Sequence, residues 1–440
     1  MLNGRPGRAL FVFALPMIIG NLFQQFYTMV DSIIVGKYVG ENALAAVGAS
    51  YALTTVFIMI AIGGGIGASV ITSQYLGAGQ YEKMKTSIST ALLAFLAVSV
   101  ILAVFGLVCN RWILTALKTP EDIFTDALLY LNIYFMGLPF LFMYNILSSM
   151  FNALGKSRIP LYLLIFSSML NILLDFWFVL GLGMGVAGVA IATVIAQGLS
   201  AVISFLLLLQ HLKTYTSEKN ILFDIPLLGR MVKIAVPSIV QQSIVSVGML
   251  FVQSVVNTFG SAVVAGYSAG MRVESLCIVP MIATGNAVST FTAQNLGAGE
   301  TERVRKGYRA SYGIVIGFGI LICLVLTLFH EPIISAFLDE TTSSTAFATG
   351  KAYLQFIAFF FVFIGFKACT DGVLRGAGDM GVYLAANLAN LFLRVTVANI
   401  CAPIWGVQMV WYAVPMGWAL NYVISFGWYL TGRWSKKKLI

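Results

Sequence analysis

The stretch LYLLIFSSMLNILLDFWFVLGLGMG, residues 161–185, decides the fold class of this chain. It is long enough to cross a bilayer as one helix, which needs about 20 predominantly apolar residues. Its only charged residue is Asp175, and no Lys or Arg lies within several residues of it. A charged side chain at the middle of a membrane helix costs roughly 2.5–3.5 kcal/mol on insertion scales. Carboxylates retained at that cost are typical of proteins that bind protons or cations inside a membrane.

A second acid lies in the same kind of environment near the start of the chain. Asp31 is the only acid in FALPMIIGNLFQQFYTMVDSIIVG, residues 13–36. The whole chain of 440 residues is 59% hydrophobic and 10% charged, whereas soluble domains are about 25% charged. The composition therefore predicts an integral membrane protein. The net charge of +9 does not indicate nucleic-acid binding, because the basic residues lie in short connections between apolar runs.

Apolar runs of membrane-spanning length recur along the whole chain. About twelve transmembrane helices are predicted, near residues 8–36, 43–72, 86–108, 125–151, 159–181, 186–210, 229–257, 262–292, 307–329, 349–374, 380–402 and 406–431. A polar stretch separates the sixth run from the seventh. The predicted organisation is an N-terminal six-helix lobe at 1–212, a linker at 213–228 and a C-terminal six-helix lobe at 229–440.

The basic residues divide unevenly between the two sides of the membrane. Nineteen Lys and Arg residues fall on the side that carries both termini, and four fall on the other side. An excess of basic residues is typical of cytoplasmic connections. Both termini and the linker are therefore predicted to be cytoplasmic.

Two halves of the chain repeat each other. In a first motif pair, QYLGAGQ at 74–80 matches QNLGAGE at 294–300, and in a second, FNALGKS at 151–157 matches LRGAGDM at 374–380. The offset between the matching motifs changes by only a few positions from the first pair to the second, which predicts a duplication. Because each half has an even number of spans, the halves should form a parallel repeat about a pseudo-two-fold axis along the membrane normal, as in some secondary transporters.

Four side chains are predicted to form a cation site. Asn171 and Asp175 are four residues apart and share a helix face, Thr193 lies on the next, antiparallel span, and Asp31 comes from the first span. Carboxylate, amide and hydroxyl oxygens can bind a small hard cation such as sodium, and a carboxyl pair can equally hold one shared proton. In the alternative interpretation, each acid caps or hydrogen-bonds a neighbouring helix. No other metal ligand, no cofactor and no catalytic residue is predicted.

Further polar groups in apolar spans are candidates for a substrate cavity. They are Gln24, Tyr27, Tyr130, Asn145, Gln241, Gln253, Glu274 and Arg394. Asp371 lies near Arg375, which predicts a local salt bridge, and Lys367 can pair with Asp371 as an i, i+4 neighbour. The sequence does not assign roles to Arg272, Glu274, Lys367, Asp371 and Arg394.

Several motifs, occurring in order, resemble those of the multidrug and toxic compound extrusion (MATE) transporters. They are LPMIIGNLFQQFYTMVDSIIVGKYVGENALAAVGAS (15–50), SQYLGAG (73–79), GMGVAGVAIATVIAQG (183–198) and LRGAGD (374–379). The resemblance runs from about residue 8 to 430. It implies two six-helix lobes with a central cavity, and export of organic, often cationic, compounds by alternating access in exchange for protons or sodium ions. It also implies a monomer in a bacterial plasma (inner) membrane.

Within that family the chain is most similar to the DinF-like bacterial branch. That branch has an Asp in helix 1, an Asn-x-x-x-Asp in helix 5 and a Thr in helix 6, and Asp31, Asn171, Asp175 and Thr193 match those places. The NorM-like branch instead carries an acid in helix 7, but the seventh span, 229–257, has none. The resemblance therefore implies cation binding in the N-terminal lobe.

Three other functions are weighed against the antiporter. A flippase for lipid-linked oligosaccharides, from the same superfamily, would need a more cationic cavity than Arg272, Lys367 and Arg394 provide. An intramembrane enzyme would need a nucleophile and a base, but His211 and His330 lie at span ends. A passive channel would conduct without ion exchange. The expected partners are small organic compounds, the coupling cation and the lipid bilayer, with no nucleic acid.

Overall fold

The structure, a computed structural model, describes residues 1–216, 221–338, 343–437 and 439–440. These residues form thirteen α-helices and no β-strand, which confirms the predicted all-α fold class. The helices are α1 (Pro6–Ile34), α2 (Glu41–Gly77), α3 (Tyr81–Ala116), α4 (Glu121–Ala153), α5 (Arg158–Asp175), α6 (Gly185–Leu212), α7 (Ile225–Asn257), α8 (Ser261–Gly297), α9 (Thr301–Ser335), α10 (Ser344–Ile357), α11 (Phe361–Gly376), α12 (Met380–Trp405) and α13 (Gln408–Leu430).

The helices follow the predicted spans in order. Across the described residues, ten helices are long and apolar enough to cross a membrane, and the bent pair of α10 and α11 meets the same criteria when taken together. The remaining predicted span corresponds to α13, which carries several Trp and Tyr residues. The chain is therefore a multi-pass membrane protein.

The tenth predicted span, 349–374, is not one helix. α10 and α11 meet at an angle of 56° across residues 358–360. At the break the backbone tightens to three-residue turns, in which Phe360 N–H donates to Ile357 O at 2.9 Å and Phe363 N–H donates to Phe360 O at 3.0 Å. The bend was not predicted because residues 357–363 contain no Pro or Gly, the residues that usually mark a kink.

The helix bounds repeat with the offsets seen in the sequence. α2 and α8 have 37 residues each and begin at Glu41 and Ser261, separated by the offset of the first motif pair. α6 and α13 begin at Gly185 and Gln408, separated by the offset of the second motif pair. The same succession of helices is thus built twice, and a position in one half has a counterpart in the other.

The described chain divides into two compact units. The N-unit comprises residues 19–239, and the C-unit comprises residues 1–18 together with 240–440. The divisions fall inside α1 and α7, shortly after Pro16 and Pro237, where each proline removes a backbone hydrogen bond. The predicted lobes, 1–212 and 229–440, stay a prediction. In the predicted linker, 213–228, residues 217–220 lie outside the described residues, and α7 already begins at Ile225.

In the N-unit, α4 is the central helix and packs against α2, α3 and α6, while α5 packs against α6. The apolar cluster around α4 includes the rings of Phe57 and Phe135, whose centroids are 5.2 Å apart in an edge-to-face arrangement. This packing fixes α5 and α6 beside each other, so residues on their facing sides can form one site.

In the C-unit, α8 is the central helix and packs against α9, α10 and α11. α8 and α11 approach closely because glycines face each other: a Cβ atom added to Gly372 would lie 2.3 Å from the carbonyl oxygen of Gly285. Small residues permit such close approach between membrane helices. The buried face of α8 therefore brings its polar residues against α10 and α11.

Candidate functional site

Asp31 and Asp175 both lie where an α-helix changes into a π-helical turn. Asp31 is close to the end of α1, and α5 ends at Asp175 itself. In the turns that follow, Gly40 N–H donates to Val35 O at 3.1 Å, and Leu182 N–H donates to Trp177 O at 3.0 Å. Such π-helical hydrogen bonds, from the N–H of residue i+5 to the carbonyl of residue i, are rare in proteins and occur frequently at functional sites. The two turns were not predicted, because an apolar run does not show where the pattern of backbone hydrogen bonds changes.

The structure brings the two carboxyl groups together inside the N-unit. They lie within hydrogen-bonding reach of each other. Asp175 is fully buried, and neither of its oxygens receives a hydrogen bond from a described residue; Oδ1 of Asp31 is buried and unpartnered in the same way. Two ionised carboxylates only accept hydrogen bonds. Neither can therefore satisfy the other unless a proton or a cation lies between them.

Asn171 and Thr193 complete the set of oxygen and nitrogen atoms around this pair. Asn171 Nδ2 donates to Thr193 Oγ1 at 3.4 Å, and Thr193 Oγ1 donates to the carbonyl of Val189 at 3.1 Å. The hydroxyl of Tyr27 donates to Asn171 Oδ1. The four predicted cation-site residues thus lie in one unit, with Asn171 buried on the same helix as Asp175. Within the described residues, no three His, Cys, Asp or Glu side chains cluster to hold a metal ion.

Tyr27 and Tyr130, predicted as substrate contacts, flank the carboxyl pair. Both interact electrostatically with Asp31 and with Asp175. Tyr130 also lines a narrow cavity between α4 and α6, whose other walls include Tyr134, Thr193 and Gln197. The surroundings of the carboxyl pair are thus aromatic as well as acidic.

The remaining polar candidates have simpler surroundings. Gln24 is exposed, and Asn145 Nδ2 donates to Leu141 O at 2.8 Å within its own helix. Gln253 Nε2 donates to Asn257 Oδ1 at 2.8 Å. In the C-unit, Gln241 Oε1 accepts a hydrogen bond of 2.9 Å from the hydroxyl of Tyr383. Gln24 and Asn145 thus belong to the N-unit, and Gln241 and Gln253 to the C-unit.

Glu274 is buried in the C-unit, where it has a donor. The hydroxyl of Tyr353, on α10, donates to Glu274 Oε2. This contact depends on Gly270, because a Cβ atom there would lie 2.1 Å from the ring of Tyr353. No motif pointed to this tyrosine directly, but Tyr353 follows Tyr130 by the offset of the second motif pair, so the repeat could have found it.

Arg394 lies near the middle of α12 and is half-buried. It interacts electrostatically with Glu274 and Tyr267, but the described residues include no Arg394–Glu274 ion pair. Arg394 Nε and the hydroxyl of Tyr267 are both buried without a hydrogen-bond partner of normal geometry among the described residues. Arg272, which is also a charged residue in a C-unit span, is exposed.

Asp371 is fully engaged within the C-unit. Lys367 Nζ donates to Asp371 Oδ2 at 2.9 Å, which confirms the predicted i, i+4 pair, and Ser425 Oγ donates to Asp371 Oδ1 at 3.1 Å. The predicted salt bridge from Asp371 to Arg375 was wrong. Arg375 Nη2 donates instead to Asn286 Oδ1 at 2.7 Å, on the neighbouring α8. The close packing of α8 on α11 draws Arg375 to that helix.

Comparisons with known proteins agree with this architecture. The MatE family model matches the chain twice, at residues 16–177 and 237–400. The chain is 30% identical over 444 residues to the "Probable multidrug resistance protein YpnP" of Bacillus subtilis, covering 99% of this chain and 98% of that protein. It is 22% identical over 444 residues to the "Probable multidrug resistance protein NorM" of Thermotoga maritima, covering 97% and 93%.

Solved structures show the same fold. A crystal structure described as MATE in complex with MaL6 superposes with a TM-score of 0.92 at 23% identity, over 99% of this chain and 98% of the other. The two family-model matches repeat the two halves seen in the helix bounds, and the relatives are transporters rather than enzymes. Together these findings show that the chain belongs to the multidrug and toxic compound extrusion (MATE) family of multi-pass membrane transporters.

Proposed function

We propose that this protein is a cation-coupled antiporter, which exports organic, often cationic, compounds by alternating access in exchange for protons or sodium ions. The observation that carries this proposal is the carboxyl pair of Asp31 and Asp175, whose buried oxygens have no donor among the described residues of the N-unit. An isolated charge buried in a low-dielectric environment is very unfavourable. The pair is therefore stable only when a positive charge is bound to it.

The residues around the pair can serve such an exchange. Binding a proton between the carboxyl groups, or a sodium ion among the carboxylate, amide and hydroxyl oxygens, neutralises the buried charge. Tyr27 holds the Asn171 side chain through its hydrogen bond, and Asn171 in turn contacts Thr193. The cation leaves once water reaches the carboxylates or another positive group replaces it. Release of the cation and movement of the compound are then coupled through one site.

The same surroundings favour a cationic compound. Tyr27 and Tyr130 lie beside two acids, and aromatic faces attract cations such as quaternary ammonium groups. A positively charged, partly aromatic compound and the coupling cation therefore compete for the same negative charge. Such competition links the two ligands, because each lowers the affinity of the other by the same factor. It produces antiport when the empty site does not change the side of the membrane that it faces.

We also propose that the protein lies in a bacterial inner membrane with both termini in the cytoplasm. The support is the distribution of basic residues, which places nineteen on the side of the termini and four on the other. Reporter fusions at residue 440 and after Lys118 test this orientation. The fusion at residue 440 should be active only with a cytoplasmic reporter, and the fusion after Lys118 only with a reporter that works outside the cell. The reverse pattern would overturn the proposed orientation.

Transport in proteoliposomes tests the proposed function. Efflux of a fluorescent organic cation is measured under an imposed proton gradient and, separately, under an imposed sodium gradient. Wild-type protein should respond to one of them, and Asp31→Asn and Asp175→Asn should not. Asp371→Asn is the matched control, because that span acid already has Lys367 and Ser425 as partners, and it should retain coupling. Wild-type export driven by neither gradient would overturn the proposal.

A further inference from the structure

Arg394 is a charged residue for which the proposed cation exchange has no use. It lies near the middle of α12, at the depth where a membrane helix tolerates charge least. Charged residues kept there mark substrate or ion pathways in most membrane proteins. Lys367, a half-buried cation in another C-unit span, already has Asp371 and Asn387 as partners. Arg394 therefore calls for a separate explanation.

Hydrogen-bond donors in and around Arg394 lack acceptors. Its Nε is buried without an acceptor among the described residues. The buried hydroxyl of Tyr267 lies close enough to the Arg394 side chain to interact with it, but this contact lacks normal hydrogen-bond geometry. Glu274 acts on Arg394 electrostatically, without an ion pair between them among the described residues, and its Oε2 accepts a hydrogen bond from the hydroxyl of Tyr353. A guanidinium group has five N–H donors in a planar fork that matches carboxylate geometry. The cluster thus has charge and donors for an oxyanion, with Glu274 as its nearby internal counter-charge.

The repeat shows that this arrangement replaces the cation site of the other half. At the offset of the second motif pair, Tyr353 occupies the counterpart position of Tyr130, and Arg394 that of Asn171. The counterpart of Asp175 is Ala398, which is fully buried. Where the N-unit places two acids and an amide beside a tyrosine, the C-unit places an arginine beside a tyrosine. The same framework thus carries an arginine with Glu274 as its counter-charge, where the N-unit carries two acids.

We propose that Arg394 and the Tyr267 hydroxyl form a site in the C-unit that binds the carboxylate group of a transported compound. Amphoteric compounds, which carry both an amine and a carboxylate, are then a preferred substrate class. The bound carboxylate replaces Glu274 as the counter-charge of the guanidinium. This rests on the proposed export function, but it concerns binding alone and needs no gradient.

Binding of a matched pair of compounds to the purified full-length protein in neutral detergent tests this site. The probes are a fluoroquinolone, which carries a secondary amine and a carboxylate, and its methyl ester, which carries only the amine. Wild-type protein should bind the acid more tightly than the ester. Arg394→Gln should weaken binding of the acid about ten- to a hundredfold, the range for charge-assisted hydrogen bonds, and should leave ester binding within about twofold.

Three further variants separate recognition from a structural role. Arg272→Gln removes an exposed arginine from a span and should change neither affinity. Arg394→Lys keeps the charge without the planar fork and should retain part of the preference for the acid. Glu274→Gln removes the competing carboxylate and should tighten binding of the acid but not of the ester. Unchanged ester binding also shows that each variant is folded.

The outcomes that overturn the site are distinct from failure of ion coupling, because no ion gradient enters the measurement. Equal loss of acid and ester binding in Arg394→Gln would assign Arg394 to structure and contradict the proposal. So would a wild-type protein without preference for the acid. A final arm adds phosphatidylglycerol or phosphatidylcholine micelles. If binding of phosphatidylglycerol depends on Arg394 and binding of the fluoroquinolone does not, the site binds a lipid phosphate and the substrate assignment is wrong.

Discussion

The two units treat buried acids in opposite ways. In the N-unit, Asp31 and Asp175 lie side by side, and their buried oxygens receive no hydrogen bond from a described residue. In the C-unit, Glu274 receives a hydrogen bond from Tyr353, and Asp371 receives hydrogen bonds from Lys367 and other donors. A carboxylate with a full set of donors is already stable, whereas one without donors needs an external positive charge. The comparison teaches that burial in a span does not by itself identify an acid as an ion site. The distinguishing feature is whether the buried carboxylate lacks hydrogen-bond donors.

The difference arises on a shared framework. The helices of the two halves begin at matching positions, yet Asn171 corresponds to Arg394 and Asp175 to Ala398. Duplication thus preserved the backbone arrangement while the charged residues diverged. We infer that the halves divide the work unequally, with the coupling cation bound in the N-unit.

The largest expected effect comes from removing the unpartnered acid. Asp175→Asn should abolish gradient-driven export in proteoliposomes, because an amide neither takes up a proton at neutral pH nor supplies the negative charge that holds a cation. The thermal unfolding midpoint of the purified protein should stay the same or rise, since a buried charge without a donor is itself destabilising. Asp371→Asn should behave in the opposite way, with export kept and the midpoint lowered, because Lys367 loses its partner. A stable Asp175→Asn protein that still couples export would break the comparison.

The second effect concerns the packing that gives Glu274 its donor. Gly270→Ala places a Cβ atom 2.1 Å from the ring of Tyr353, so the ring must move away from Glu274. We expect a loss of stability of about 1–3 kcal/mol, the usual cost of overpacking, measured by thermal unfolding. Gly313→Ala is the control, since no atom lies within 4 Å of the added Cβ. That change should be neutral or slightly stabilising, and equal destabilisation by both would refute the role of Gly270.

A smaller effect distinguishes the two counterpart tyrosines. Tyr353→Phe removes the donor of a buried carboxylate and should cost about 1–3 kcal/mol. Tyr130→Phe removes a hydroxyl that interacts with the acid pair electrostatically and should lower the free energy of unfolding by less. Unfolding midpoints of the two variants, measured under the same conditions, decide the order. A larger loss for Tyr130→Phe would show that the N-unit pair has a donor after all.

The smallest effect is expected at the edge of the cation site. Thr193→Val keeps the shape of the side chain but removes the acceptor of the 3.4 Å bond from Asn171 Nδ2. A net loss of about 0.5–1.5 kcal/mol should raise the half-saturating concentration of the driving ion roughly two- to tenfold, as measured by ion-dependent efflux. The maximal rate should stay unchanged. An abolished rate would place Thr193 at the centre of the site instead of its edge.

Much of the fold was predictable because its causes are local in sequence. The length of each apolar run fixes a membrane helix, and the predicted spans follow the observed helices in order. Asn171 and Asp175 were predicted to share a helix face because they are four residues apart. Thr193 was predicted to lie beside them because a short connection joins α5 to α6. Lys367 and Asp371 were likewise paired by helical spacing alone.

What escaped prediction depends on contacts between distant residues. The bend between α10 and α11 has no Pro or Gly to mark it, and the π-helical turns after Asp31 and Asp175 lie inside ordinary apolar runs. Arg375 was paired with the nearest acid in sequence, although helix packing brought it to Asn286. The partners of Glu274 and Arg394 come from other helices, so only the repeat offset hinted at Tyr353.

The most direct test of the central claim is the release of the coupling ion when an organic cation binds to the purified protein without any gradient. Proton release is followed in a weakly buffered solution, and sodium release by displacement of bound radioactive sodium. Wild-type protein and Asp371→Asn should each release one kind of ion on binding, and the double variant Asp31→Asn, Asp175→Asn should release neither. Undiminished release from the double variant would show that the carboxyl pair is not the ion site and would contradict the account.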